Sequence, residues 1–244
     1  MRARRSIGSL WLAARCASAF PIVVIALAQP AGASPPAVVE SAPAAAARRD
    51  PVVRKFLTMA ATAHRFRGKV RVKVWKGNES ATMLLDLALE KPDRTAYTIV
   101  SSDRTPDAAG TRIVWFGERD VHVRTKFFGF PLSLTLPLDD PRLKDFRGDD
   151  HRDLAITRVF EQLERPACRL GLLSSGTWQQ RPVTRLWLDG PGQPRGITHQ
   201  IFWLDDADGL PRMRQMYEGD RIVYQLEVLR GEVDGSLPPN HFRP

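Results

Sequence analysis

The sequence predicts a mainly β fold: an incomplete antiparallel barrel, a strongly curved sheet of about ten strands covered by two or more helices. Three observations carry this. Segments with a side-chain period of two follow one another along most of the chain, joined by short turns rich in Gly, Asn and Asp. Helical periodicity is confined to two stretches. Several strands are apolar on both faces, as in Met83-Leu84-Leu85, Ile113-Val114-Trp115-Phe116 and Ile201-Phe202-Trp203-Leu204. A sheet with water on one side does not show this so often, so protein or an apolar cavity must cover both faces.

Residues 1–33 read as a secretory signal peptide. Arg2, Arg4 and Arg5 form a positive start, an apolar run follows from Ala17 to Ala28, and Ala31-Gly32-Ala33 offers a cleavage site. Arg15 and Pro21 break the run too much for a membrane span, which needs about 20 apolar residues. An uncleaved anchor is the alternative. Cleavage would lower the formal net charge from +9 to +5, because the segment holds four arginines and no acid. That excess suits anionic lipid or acidic protein surfaces, while charges interspersed along strands argue against nucleic acid as a partner. Cys168 is the one cysteine left, so no intramolecular disulfide can form. The exported, periplasmic domain then relies on its core, for which about 190 residues are ample.

Residues 34–49 are Pro- and Ala-rich and read as a flexible segment. The domain should run from Asp50 to 235, with 236–244 as a tail. Asp50 can cap a helix, Pro51 suits its first turn, and Val52, Val53, Phe56, Leu57, Ala60 and Ala63 share one side. That helix should end near Phe66. Strands are expected over 69–76, 80–90, 94–101, 111–116 and 121–128. The apolar stretch Phe127–Leu138 carries Pro131 and Pro137, which bar a long helix or a central strand, so it reads as a core-covering loop or a lid. Residues 151–165 should form a helix ended by Pro166. Strands resume at 168–174 and 184–189, and Ile197–Arg230 gives three more, turning at Asp205–Gly209 and Glu218-Gly219-Asp220.

Chemistry is sparse. The chain has no G-x-S-x-G, H-E-x-x-H, C-x-x-C, P-loop or G-x-G-x-x-G, and its five histidines are scattered singly. Among paired acids, Asp149, Asp150, His151 and Asp153 are densest, but acids at a helix start have a capping role first. Asp205–Gly209 lacks the spaced ligands of a calcium loop. No metal, cofactor or enzymatic activity is expected. The strand aromatics, from Trp75 to Tyr224, read as core or cavity lining rather than base-stacking platforms.

Five stretches, in order, resemble the LolA-like outer-membrane lipoprotein-sorting superfamily, which includes LolB-like and RseB/MucB-like domains. They are KFLTMAATAHRFRGKVRVKV, LALEKPDRTAYTI, TRIVWFGERDVHV, VTRLWLD and DADGLPRMRQMYEGDRIVYQLEV. Together they span roughly residues 50–235. Phe116 departs from the family's usual turn aspartate. Lys91 stands where carrier proteins often have an arginine linked to lipoprotein release.

The resemblance implies a half-barrel around an apolar cavity that holds acyl chains of lipoproteins or other lipids in the periplasm. Inner- or outer-membrane delivery proteins would be its partners, and a monomer its working form. The alternative is a non-enzymatic sensor or assembly module binding a partner protein through the same fold. Alternation nominates Val72, Val74, Met83, Leu85, Leu87, Ile99, Val114, Phe116, Ile201, Trp203 and Leu226 as cavity lining. A one-residue slip in facing would reverse any of these assignments.

Overall fold

The structure, a computed structural model, describes residues 44–149, 159, 162–163, 168–237 and 241–243. The signal peptide and most of the Pro/Ala-rich segment lie outside them, as do nearly all of the expected helix 151–165 and the Asp150, His151 and Asp153 cluster. Within that helix, Val159, Gln162 and Leu163 are described, and all three are helical and buried. None of the described helices is long and apolar enough to cross a membrane.

Two helices open the described chain: α1, Ala44–Arg49, and α2, Pro51–Thr62. Composition marks residues 44–49 as flexible, yet they are helical and Ala47 is fully buried. Helix α2 starts as its sequence dictates. The Asp50 carboxylate accepts from the backbone N–H groups of Val52 and Val53 at 2.9 and 3.1 Å, with Pro51 in the first turn. It ends four residues before Phe66, because Asp234 draws the chain into the sheet. The Asp234 carboxylate accepts from the backbone N–H groups of His64 and Arg65 at 2.8 and 2.9 Å.

Twelve antiparallel strands follow: β1 Arg65–Lys76, β2 Glu79–Glu90, β3 Arg94–Ser102, β4 Arg112–Trp115, β5 Asp120–Phe127, β6 Phe130–Pro137, β7 Arg169–Leu172, β8 Gly176–Trp178, β9 Arg181–Asp189, β10 His199–Asp205, β11 Pro211–Glu218 and β12 Arg221–Val233. They form one sheet in the order β6-β5-β4-β3-β2-β1-β12-β11-β10-β9-β7, with β8 also paired to β9. Two meanders are thus joined where β1 pairs with β12, and the sheet stays unclosed, with β6 and β7 at its edges. The predicted class is the observed one.

The count exceeds about ten for identifiable reasons. The apolar stretch expected to be a loop or lid is instead strand β6, hydrogen-bonded to β5 from Asp120↔Pro137 to Phe127↔Phe130. Its prolines are tolerated because it is an edge strand. The hairpin turns through Phe128 and Gly129, whose φ values of 50° and 82° suit a tight two-residue connection. Phe128 and Phe130 stand 87% and 74% exposed at its tip.

Side chains of the inner face make two kinds of core. Leu170, Leu186, Leu188, Phe202 and Leu204, from β7, β9 and β10, are sealed under Val53, Phe56, Val159 and Leu163. On the other side, β1, β2, β3 and β12 gather Val70, Val72, Val74, Leu85, Ile99, Tyr224 and Val228, with Val123 and Leu136 of β5 and β6 farther out. After β6 the chain lays Leu143 and Phe146 against this second region.

Candidate functional site: an apolar cavity on the inner face

Register fixes which residues share the inner face. Leu226 is paired with Val72, Val72 with Met83, Val70 with Leu85, and Leu85 with Ile99. Farther out, Tyr97 is paired with Ile113, Ile113 with Val123, and Val123 with Leu134. These side chains line a cavity of about 560 Å³, within the range of small-ligand sites. Met59 of α2 and Ala63 just after it, Leu143 to Asp145 beyond β6, and Leu210 also border it.

Among the sequence-nominated residues, Val72, Val74, Met83, Leu85, Leu87, Ile99 and Leu226 line this cavity. Four do not. Val114 is paired with Ala96 and His122 on the outer face, where it is 1% exposed. Phe116 follows β4 and meets the His122 ring edge-on at 5.7 Å. Ile201 is paired with Gln215 and Trp203 with Met213, which turns both away from the Phe202 and Leu204 face. The Arg185 guanidinium lies 5.4 Å from the Trp203 ring. In each of these segments both faces are apolar, so alternation alone could not say which one looked inward.

Lys91 does reach the cavity, at the end of α2. Its Nζ donates to the carbonyl of Ala60 and, at 3.3 Å, to that of Ala61. A lysine there satisfies open carbonyls and complements the helix dipole.

The wall also carries Tyr97, Trp115 and Tyr224, from the strand aromatics expected as core or cavity lining, and Ile113, Val123, Leu134, Leu136 and Arg214, which alternation did not nominate. Most follow from pairing partners, which one strand read alone does not reveal. Because β11 also carries Arg212, Gln215 and Glu218, Arg214 left no signal of its own. It is 2% exposed and its Nε donates to Gln200 Oε1 at 2.7 Å. Burial lowers its pKa to about 10, against a raising influence from Tyr224, so it stays protonated at neutral pH. Burial pushes the Tyr97 and Tyr224 hydroxyls well above the ordinary tyrosine range, keeping both neutral.

Among the described residues, one acid lines the cavity. Burial raises the Asp145 carboxyl pKa against the lowering effect of its backbone hydrogen bonds, in which Oδ1 accepts from Arg147, Gly148 and Asp149 at 2.8 to 2.9 Å. The other paired acids have structural work. Asp149 accepts from Arg147 Nε at 2.7 Å, Asp140 caps and pairs with Arg142, and Asp205 holds Arg181 and Arg212. Among the described residues, no three His, Cys, Asp or Glu side chains cluster as metal ligands.

Fold and cavity together define an open antiparallel half-barrel with a preformed apolar pocket. No family model and no curated protein matches the chain. Solved structures do. The chain is similar to an uncharacterised conserved protein from Thermus thermophilus, at 10% identity and a TM-score of 0.47, over 79% of this chain and 91% of that one. It is similar to the MucA/MucB complex of Pseudomonas aeruginosa at 15% identity and a TM-score of 0.41, over 79% and 59%. A LolA superfamily protein from Nitrosomonas europaea matches at 11% identity and a TM-score of 0.37, over 84% and 99%.

Proposed function

We propose that this protein is a periplasmic binding protein that shelters acyl chains from water, carrying lipoproteins towards the outer membrane. One observation carries the reading: the inner face of β1 to β6 and β12 leaves a cavity walled almost throughout by aliphatic and aromatic side chains. Each methylene moved from water into such a site contributes about 0.8 kcal/mol, so a single chain gives useful affinity. The ligand is held and released, not altered, and the protein is not an enzyme.

Native mass spectrometry of protein purified gently from the periplasm tests this. Co-purifying lipid or acylated peptide that disappears in the L85E/L87E double variant is the expected result. A mass that stays ligand-free after incubation with phospholipid and lipopeptide would sink the carrier reading. It would favour partner binding instead, for which the open edge of β6 with exposed Phe130 and Leu132 is suited.

A further inference from the structure

Large apolar side chains are exposed at few places. Among the described residues they are Val100, Phe128, Phe130 and Leu132, and three of the four belong to the β5–β6 hairpin. Their exposure is graded along one face. Leu136 and Leu134 of β6 line the cavity, and period two puts Leu132 and Phe130 on the same side of the strand. Thr125, the partner of Leu132, agrees with that facing, since its hydroxyl meets the hydroxyl of the lining residue Thr111 at 2.8 Å. Exposure climbs from 6% at Leu136 to 36% at Leu132 and 74% at Phe130, with Phe128 87% exposed at the turn. The cavity wall thus runs out along β6 into an exposed aromatic tip.

The opposite face of the hairpin is cationic. Arg124 and Lys126 alternate with the cavity-facing Val123 and Thr125 and are both exposed. No acid lies between Asp120 and Asp139, which stand at the hairpin's base. Neither cation forms an ion pair among the described residues. Arg124 is instead set directly across from Arg112, a like-charge pairing that costs stability. Strand residues rise about 3.3 Å each, so Lys126 sits about 7 Å behind Phe128 along the hairpin. Apolar side chains of interfacial elements bury about 5–10 Å into the headgroup and acyl boundary, so rings at the tip leave these cations at headgroup level.

We infer that the tip of the β5–β6 hairpin docks the protein on an anionic lipid surface, with Phe128 and Phe130 among the acyl chains and Arg124 and Lys126 at the headgroups. The rings leave water on insertion, and each cation near an anionic surface adds an attraction that salt screens. This docking goes beyond acyl binding and does not depend on it. It brings the apolar face that leads into the cavity against the membrane.

Co-sedimentation of the whole protein with vesicles of phosphatidylcholine alone, or of equimolar phosphatidylcholine and phosphatidylglycerol, tests the docking. Binding to the anionic vesicles should be about tenfold tighter, and high salt should erase the difference. Phe128→Ser/Phe130→Ser should weaken anionic-vesicle binding about tenfold. Arg124→Gln/Lys126→Gln should bind both kinds of vesicle alike. All four side chains are exposed, and an unchanged thermal unfolding midpoint would show that lost docking is not lost fold. None of the four lines the cavity, so calorimetric titration with a dodecyl probe, dodecanol, should give the unmodified affinity in both variants. Equal binding to both vesicles by the unmodified protein, or binding that survives the loss of both rings, would overturn the proposal. Binding to neither would overturn it as well and leave the tip to a protein partner. Docked protein that takes up no dodecanol would support the docking and overturn the acyl-binding reading alone.

Discussion

The two ends of the sheet share one pattern and meet two fates. At the β7, β9 and β10 end, Leu170, Leu186, Leu188, Phe202 and Leu204 are all at or below 2% exposure, because α2 and the helical residues Val159 and Leu163 lie across them. At the β1 to β6 end, Met83, Leu87, Tyr97, Trp115 and Leu134 show the same alternation but remain half-buried around a cavity. Period two marks an apolar face without saying what covers it. Here one end is a finished core and the other borders an open apolar cavity.

The sharpest way to break that contrast is Phe202→Ala. Phe202 is fully buried and packs on Phe56 with ring centroids 5.7 Å apart. Its truncation should leave a cavity under α2 and cost about 4 kcal/mol, read as a lower urea midpoint with an unchanged slope. A loss below about 1 kcal/mol would show that the covered half is not the stabilising half.

A smaller effect tests the joint between helix and sheet. Gly209 turns the chain between β10 and β11 with φ at +74°, and a Cβ there would lie 2.6 Å from Lys55 Cβ. Lys55 Nζ meanwhile donates to the carbonyls of Asp206 and Ala207 at 3.0 and 2.9 Å, fastening α2 to the same turn. Gly209→Ala adds left-handed strain and a clash, so it should cost about 2 kcal/mol. Thermal unfolding would show it, and hydrogen exchange should rise in α2 before it rises in β1 to β3. Uniform loosening of both halves would mean that α2 is not docked through this turn.

Much of this contrast was legible in the residues, and the illegible part has a physical cause. Val70, Val72 and Val74 alternate with Lys and Arg along β1, so the residues group them on one face, and the strand pairing shows that this face looks onto the cavity. The cap at Asp50 and the turn at Gly209 announced themselves for the same reason: one residue type suits the local geometry. Ile201 to Leu204 offered no such asymmetry, since both faces of β10 are apolar and covered or stacked upon. The β-bulge between Trp203 and Leu204 disturbs the local register further. Phe127 to Leu138 misled through its prolines, which forbid a central strand but not an edge. Arg214 shares β11 with Arg212 and Gln215, so only its pairing with Leu226 shows that it lies on the cavity face.

Leu87→Ala gives the smallest effect on stability and the most specific one on binding. The side chain is half-buried at the cavity wall, paired with Gly68 on one side and Tyr97 on the other. Truncation removes little packed contact, so the unfolding free energy should fall by less than about 1 kcal/mol. The same truncation takes apolar wall from any bound chain, and dodecyl-probe affinity should weaken about three- to tenfold. Stability and affinity thus separate in the open half, whereas Phe202→Ala should chiefly move stability. If Leu87→Ala cost as much stability as Phe202→Ala, the open half would be packed as tightly as the covered one. A wall already that well packed has no apolar surface left over for an acyl chain.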